Sequence, residues 1–452
     1  MSSPTESFYF QHLYSSDEMR NIFSDQGKIQ AWLDTEVALA KSEAACGLIP
    51  QSAATAIADA AKFENLDLVA MQKEYERVGF PIVPLVHQLN KVCDAEAAKF
   101  IHWGATTQDV IDTGLVLQMR DGLNLIEADL NTIIDALAQL CEAHRNTAMS
   151  GRTFQQQAAP ITFGYKAAVW LDELLRHRDR LAEVRRRGLV CQFGGAVGTL
   201  ATLNKDGLDV LRVLSEELGL EEPAISWHTA RDGWSEIVFW LSMVCTTFTK
   251  IATEVATLMR TEVNEVREPY TAGRGGSSTM PQKRNPISCP LIIAIGNRMR
   301  DCVASQVTAM VQLHERDVST QPLEWLVMPD AFVLASGCLK HSKEILCGLT
   351  VDAEKMQQNL EMGGGLLMSE SVMMGLAPKV GRGVAHDLVG KASASAIDNG
   401  TTLKAAILQI DSIMEHLSEA EVDDLLNPLN YTGVASEMID RVLAKVRVAW
   451  SR

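Results

Sequence analysis

Apolar residues recur at steps of three and four along three long stretches of the chain. From Ile111 they run Leu115, Met119, Leu123, Ile126, Leu130, Ile133, Leu137 and Leu140, which is one face of a 3.6-residue repeat. A second stripe runs Ile237, Leu241, Val244, Phe248, Ile251, Val255 and Leu258. Its first half is apolar nearly all round, so this helix belongs in the middle of a bundle. A third, Leu291 to Leu313, carries Ile295, Met299, Val303, Val307 and Met310. Proline spacing permits helices of this length. Between Pro84 and Pro160 lie 75 residues without a proline, and 62 more separate Pro160 from Pro223; a proline inside a helix costs about 3 kcal/mol. Alternating strand patterns are scarce, so the expected fold is all-α in three helical regions. Residues 1–110 carry shorter helices broken by Gly47, Pro50, Gly79, Pro81 and Pro84. Residues 111–350 form a central bundle of long helices. Residues 351–452 return to short helices around Gly363-Gly364-Gly365, Gly381-Arg382-Gly383 and Pro428.

Composition narrows the function classes. The chain has 452 residues and a formal net charge of −16, so it offers no overall basic field for a nucleic acid. Its one basic run, Arg176 to Arg187 followed by Gly188, reads as the cation-bearing end of a helix. Nine cysteines occur without a Cys-x-x-Cys pair, as expected of a reduced, intracellular chain. The first residues show no secretory signal, and the apolar stretch Ile237 to Phe248 is too short to span a bilayer. The expectation is a soluble, cytoplasmic protein with neither membrane nor nucleic-acid partners.

One segment breaks the helical grammar. Residues 271–286, Thr-Ala-Gly-Arg-Gly-Gly-Ser-Ser-Thr-Met-Pro-Gln-Lys-Arg-Asn-Pro, are longer than an ordinary interhelical loop, and such loops are often active-site lids. No Gly-Lys-Ser/Thr follows the glycines, which excludes a P-loop. Pro286 suits the first turn of a helix whose free N–H groups attract a carboxylate. Lys283 adds a charge and Asn285 a directional donor. Together they suit a substrate carboxylate and the doubly charged form made when the adjacent C–H loses its proton. Ser277 or Ser278 could take that proton if loop N–H groups and Lys283 stabilise the alkoxide.

Gly276 to Pro286 resembles the Gly-Ser-Ser-x-Met-Pro-x-Lys-x-Asn-Pro signature of the fumarase/aspartase superfamily. Gly104-Ala-Thr-Thr-Gln-Asp109 to Thr113, and Gly151-Arg-Thr153 through Gly164, are similar to its two other substrate-binding segments and occur in the same order. Within the superfamily the chain most resembles the lactonizing cycloisomerases of 3-carboxy-cis,cis-muconate, through Met19 to Asp25, Val83-Pro-Leu-Val86, Gln192 to Ala196 and Trp227 to Asp232. The adenylosuccinate lyases come next, through Thr261 to Glu268 and His314-Glu-Arg-Asp317. The resemblance implies an all-α homotetramer whose sites are shared between subunits, acting on a small polycarboxylate with no cofactor and no metal. It makes Ser277 the catalytic base and places Ser278, Met280, Lys283 and Asn285 against the substrate. It also assigns Thr106, Thr107 and Gln108 to a second carboxylate, and Arg152, Thr153 and Gln157 to the third segment.

Position 157 departs from the pattern. By the resemblance, the adenylosuccinate lyases and the best-known bacterial lactonizing enzymes carry a general-acid His there, whereas Gln157 cannot exchange protons at neutral pH. A carboxylate leaving group needs no strong acid, while an amine usually does, which tilts the reading toward lactone chemistry or an activated leaving group. Among the histidines, His102 lies two residues before Gly104, within the matching motif, and is the candidate substitute acid or ligand. His314-Glu315 does not read as a metal pair, because adjacent residues do not share a helix face. Two other readings stand beside the cycloisomerase: a β-eliminating lyase releasing fumarate or a relative from a succinyl compound, and a non-catalytic scaffold that kept the fold.

Overall fold

The computed structural model describes residues 4–271, 273–276, 279–317 and 319–449. Two compact units divide the chain. The first comprises Met1–Leu130, His177–Thr249 and Leu291–His341; the second comprises Asn131–Arg176, Lys250–Pro290 and Ser342–Arg452. Five helices pass from one unit into the other: Thr107–Ala143, Phe163–Gly188, Asp232–Leu258, Ser288–Ala309 and Gln321–Gly348. The central sequence region thus contributes to both units, residues 1–110 to the first alone and residues 351–452 to the second alone.

The first two apolar stripes are buried as the 3.6-residue repeat requires. Ile111 to Leu137 are at most 7% exposed, and Ile237 to Leu258 at most 2%; Leu140 is half-buried. The third stripe fails in its second half, where Val307 and Met310 are 54% and 38% exposed. Its successive four-residue steps each overshoot a full turn by about 40°, so the line walks off the buried face. The face that stays inside alternates steps of three and four: Ile292, Ile295, Met299, Cys302, Gln306, Ala309. This helix ends at Ala309 and does not reach Leu313.

Proline also fails to break helices at two places, Pro378 inside Ser369–Val380 and Pro329. The Gln321–Gly348 helix runs straight through Pro329, where packing outweighs the lost backbone hydrogen bond. It is long and apolar enough to cross a membrane by length and composition alone, but 61% of its most apolar window is buried inside the protein. Gly337 lets it press against the chain near Tyr14, because a Cβ there would lie 2.2 Å from the Tyr14 carbonyl oxygen. A hairpin interrupts the helices, pairing Ala148–Thr153 antiparallel with Gln156–Thr162. Its tip, Phe154-Gln155, takes left-handed φ angles of 49° and 64°, the turn geometry whose twist matches paired strands.

The Asp25–Ala45 helix is capped by Ser24, whose hydroxyl accepts the Gly27 N–H at 3.1 Å. It contributes Leu33 and Ala40 to a core shared with Ile57, Leu85, Leu89 and Ile111. It also buries two acids on one face, Glu36 and Glu43, at 2% and 0% exposed. Neither oxygen of Glu43 finds a partner among the described residues. Burial, aided by the charge of Glu36, pushes its carboxyl up to about 9, so folded Glu43 is a neutral acid.

The unfolded chain releases the Glu43 proton at an ordinary carboxylate pKa, and the folded chain only near 9. Between those values the unfolded state binds fewer protons, so this group erodes stability as pH rises. Glu43→Met is therefore expected to raise the Tm at about pH 8 more than at about pH 5. Thermal denaturation at both values checks this, and an equal shift at the two would refute the assignment.

Candidate active site

In the first unit the Gly104–Thr113 segment is organised by Asp109. Its carboxylate, 2% exposed, accepts the N–H groups of Thr106 at 3.0 Å, Gly194 at 3.0 Å and Gly195 at 2.9 Å, and lies 2.7 Å from His228 Nε2. The bond to Thr106 pins the residue just before the Thr107–Ala143 helix, where N–H groups lack helical partners. Arg316 ties the same turn from outside: it donates to Thr106 Oγ1 at 2.8 Å and to the carbonyls of Gly195 and Ala196. Thr106 and Thr107 are half-buried at this helix start. Gln108 points inward instead, donating to Asp112 at 3.0 Å and to the His228 carbonyl at 2.9 Å, and serves the scaffold beneath the threonines.

That scaffold is a buried ion network. Arg231, with no exposed side-chain surface, donates to both oxygens of Asp112 at 2.7 and 3.1 Å and to Glu324 at 2.7 to 3.1 Å. Its guanidinium also stacks 3.9 Å from the Trp234 ring centroid. Burial pushes the Glu324 carboxyl above its usual range against the pull of Arg231. Gln306 donates to Glu324 as well.

His102 precedes this segment with a left-handed φ of 60°. Its Nδ1 lies 2.6 Å from Glu36 Oε1. Burial alone would depress the imidazole's pKa; the carboxylate of Glu36, with a contribution from Asp109, outweighs it and holds His102 above its ordinary value.

In the second unit the hairpin carries the third segment. Arg152 grips Glu265 with two hydrogen bonds of 2.6 and 2.9 Å, the bidentate geometry a guanidinium favours. Glu265 is fully buried and also accepts Asn359 Nδ2 at 2.8 Å. Gln157, paired with Arg152 across the hairpin, donates to the Asn359 carbonyl at 3.0 Å. Thr153 is exposed at the strand end. Arg152 is thus neutralised by the protein, not held open for a ligand.

The signature loop closes on itself. Gly276 bridges Arg284, and Asn285 donates to the Gly275 carbonyl with its backbone N–H at 3.0 Å and its side-chain amide at 3.2 Å. Gly275 is required there: its φ is 70° and a Cβ would lie 2.6 Å from the Asn285 carbonyl oxygen. The following helix begins at Ser288, and its first N–H groups are taken. Glu268 accepts Ile287 N–H at 2.9 Å, Ser288 N–H at 3.2 Å and Cys289 N–H at 2.9 Å. The expected anion seat at this helix start is therefore filled by the chain's own carboxylate, which gains from the helix dipole as a ligand would. Arg274 pairs with Glu344, and Arg284 stacks on Tyr270 at 4.4 Å. Lys283 is exposed; its backbone N–H donates to the Met280 carbonyl at 3.1 Å, but its ammonium makes no ion pair or hydrogen bond among the described residues, leaving it as the open cation of the loop. Met280 is 43% exposed beside it in the chain. Ser277 and Ser278 lie outside the described residues.

The structure thus gathers Thr106, Thr107, Gln108 and His102 in the first unit, and Arg152, Thr153, Gln157, Met280, Lys283 and Asn285 in the second. Asp109, Glu36, His228, Arg231, Glu265 and Glu268 were not legible as site residues, because their partners are remote in sequence. Arg231→Met would leave two buried carboxylates unpaired and is expected to cost about 3–5 kcal/mol. Urea denaturation measures this, and an unchanged midpoint would deny the network its structural role.

Comparison with known proteins identifies the family. A lyase family model matches residues 13–300, and a model of the adenylosuccinate lyase C-terminus matches residues 365–442. The chain is 41% identical over 448 residues to the 3-carboxy-cis,cis-muconate cycloisomerase of Pseudomonas aeruginosa, covering 98% of each. It is 37% identical to the N-acetyl-S-(2-succino)cysteine lyase of Dickeya dadantii, covering 95% of this chain and 94% of that one. The crystal structure of the 3-carboxy-cis,cis-muconate lactonizing enzyme from Pseudomonas putida matches with a TM-score of 0.92 at 39% identity, covering 98% of this chain and 99% of that one. On sequence and fold together, the chain is an enzyme of the fumarase/aspartase superfamily of lyases.

Proposed function

We propose that this enzyme is a cycloisomerase that lactonizes 3-carboxy-cis,cis-muconate or a closely related polycarboxylate. The observation that carries the reading is the extent of the likeness: about 40% identity runs through essentially the whole length of proteins named for that ring closure. In the reaction a carboxylate oxygen of the substrate bonds to one alkene carbon. The alkene electrons move toward the neighbouring carboxylate-bearing carbon, which then takes one proton. Nothing is oxidised or reduced, so the chemistry asks for no redox cofactor.

Lys283, the open cation of the loop, suits one substrate carboxylate and its developing negative charge. Thr106 and Thr107, at a helix start fixed by Asp109, suit a second. Ser277, by its place in the signature, handles the carbon-bound proton. We place the enzyme in the cytoplasm as a homotetramer, with sites shared between subunits as in the superfamily.

Gln157 favours a second reading. Held by the Asn359 carbonyl and unable to exchange protons, it suits elimination of a weakly basic group. A succinyl thioether, whose thiolate departs unaided, fits better than a succinyl amine.

Loss of diene absorbance on incubation with 3-carboxy-cis,cis-muconate is the expected result; silence there, with fumarate released from a succinyl thioether, would favour elimination. Ser277→Ala is expected to lower kcat by roughly 10²–10⁴-fold, and unchanged turnover would remove it from proton transfer. Lys283→Met is expected to lower kcat/KM by about tenfold or more, and steady-state kinetics with unaltered kcat/KM would remove the carboxylate seat.

A further inference from the structure

Two buried acids sit two turns apart on one face of the Asp25–Ala45 helix, and only one has a partner. Glu36 meets His102 at 2.6 Å, its side chain 1% exposed and that of His102 20% exposed. Its second oxygen, Oε2, is buried without a partner among the described residues. Glu43 has none at either oxygen. Of the two neighbouring carboxyls only Glu36 has a ring nitrogen facing it. The pair joins elements far apart in sequence, 66 residues, and lies at the head of the segment that carries Thr106 and Thr107.

His102 is built to stay in one orientation. Its backbone is left-handed at φ 60°, a conformation that costs a non-glycine residue about 1–3 kcal/mol and persists only where surroundings enforce it. With Nδ1 committed to Glu36, the other ring nitrogen, Nε2, has no partner among the described residues. A carboxylate behind one imidazole nitrogen keeps a proton on that nitrogen and makes the other more basic, so that the doubly protonated ring is favoured. The charged groups acting on this ring are Glu36, from the Asp25–Ala45 helix, and Asp109, from the Thr107–Ala143 helix; both favour the protonated form.

We propose that Glu36 is the positioning residue of the active site: its buried carboxylate accepts a hydrogen bond from Nδ1–H of His102 and stabilises the imidazolium, whose Nε2–H donates to a substrate carboxylate. Glu36 acts through His102 and touches no substrate. The role rests on the muconate reading of the site, with His102 as the group that takes over where Gln157 cannot titrate.

The test combines ¹⁵N-imidazole NMR titration of His102 with kcat/KM for 3-carboxy-cis,cis-muconate across pH. It uses the wild type, Glu36→Gln, Glu36→Asp and Glu43→Gln. In Glu36→Gln the His102 midpoint should fall by about one pH unit or more, and the alkaline limb of kcat/KM should fall with it. Glu36→Asp should shift both by less, which keeps the test open if the Gln variant does not fold. Glu43→Gln should leave the His102 tautomer unchanged. An unmoved His102 midpoint in a folded Glu36→Gln protein overturns the proposal. A midpoint that falls while the rate profile stays put overturns the donor role. A midpoint that falls in a protein that never turns over the muconate supports the Glu36–His102 pairing and sinks the muconate reading instead.

Discussion

Arg231 is the constraint on which the first unit depends. A guanidinium without exposed surface is held by Asp112 of one long helix and Glu324 of another, with Trp234 against its face. Taking these charges out of water is expensive, and only near-complete hydrogen bonding offsets it. Once that arrangement exists, its neighbours have little choice. Asp112 fixes Gln108, Gln108 fixes the His228 carbonyl, and His228 fixes Asp109. Asp109 then sets the turn at Thr106. A stretch of threonine and glutamine at a helix start becomes a site because a buried charge network behind it allows one geometry.

The second unit handles charge in the opposite way. Most of its prominent cations are spent on the protein's own acids, Arg152 on Glu265 and Arg274 on Glu344, and its best anion seat is occupied by Glu268. In a chain of net charge −16 such internal neutralisation holds loops in shape without leaving a diffuse positive field. Within the signature loop Lys283 stands out because its ammonium escapes this pairing among the described residues. Positive character at the loop therefore rests on that ammonium and not on composition.

Much of the fold could be read from sequence, because helices that bury one face must repeat near 3.6 residues. The Thr107–Ala143 and Asp232–Leu258 helices obey this closely. The Ser288–Ala309 helix exposes the limit of the rule: a line of four-residue steps looks periodic yet drifts, and Cys302 and Gln306 hold the true inner face. Pro329 was hidden because local cost says nothing of tertiary compensation. The Ala148–Thr162 hairpin lacks clean alternation and is defined by its pairing. The signature loop announced Lys283 and Asn285, but its partner Glu268 could not be seen, since a carboxylate 19 residues upstream of Ile287 carries no spacing signal. The same holds for Glu36 with His102 and Asp109 with His228, pairs that exist only after folding.

The interleaving of the two units along the chain bears on how the protein is made. The chain passes between them five times, each time within a helix. The first unit takes its last strip from Leu291–His341 and the second from Ser342–Arg452. A ribosome delivering residues from the N-terminus therefore cannot complete the first core until three quarters of the chain has emerged, nor the second until the end. Domain-by-domain maturation during synthesis, the usual protection for long chains, is closed to this one. Its unfinished helices must wait with their apolar faces uncovered, which makes early shielding by a chaperone more valuable here than for a protein whose domains follow one another in order.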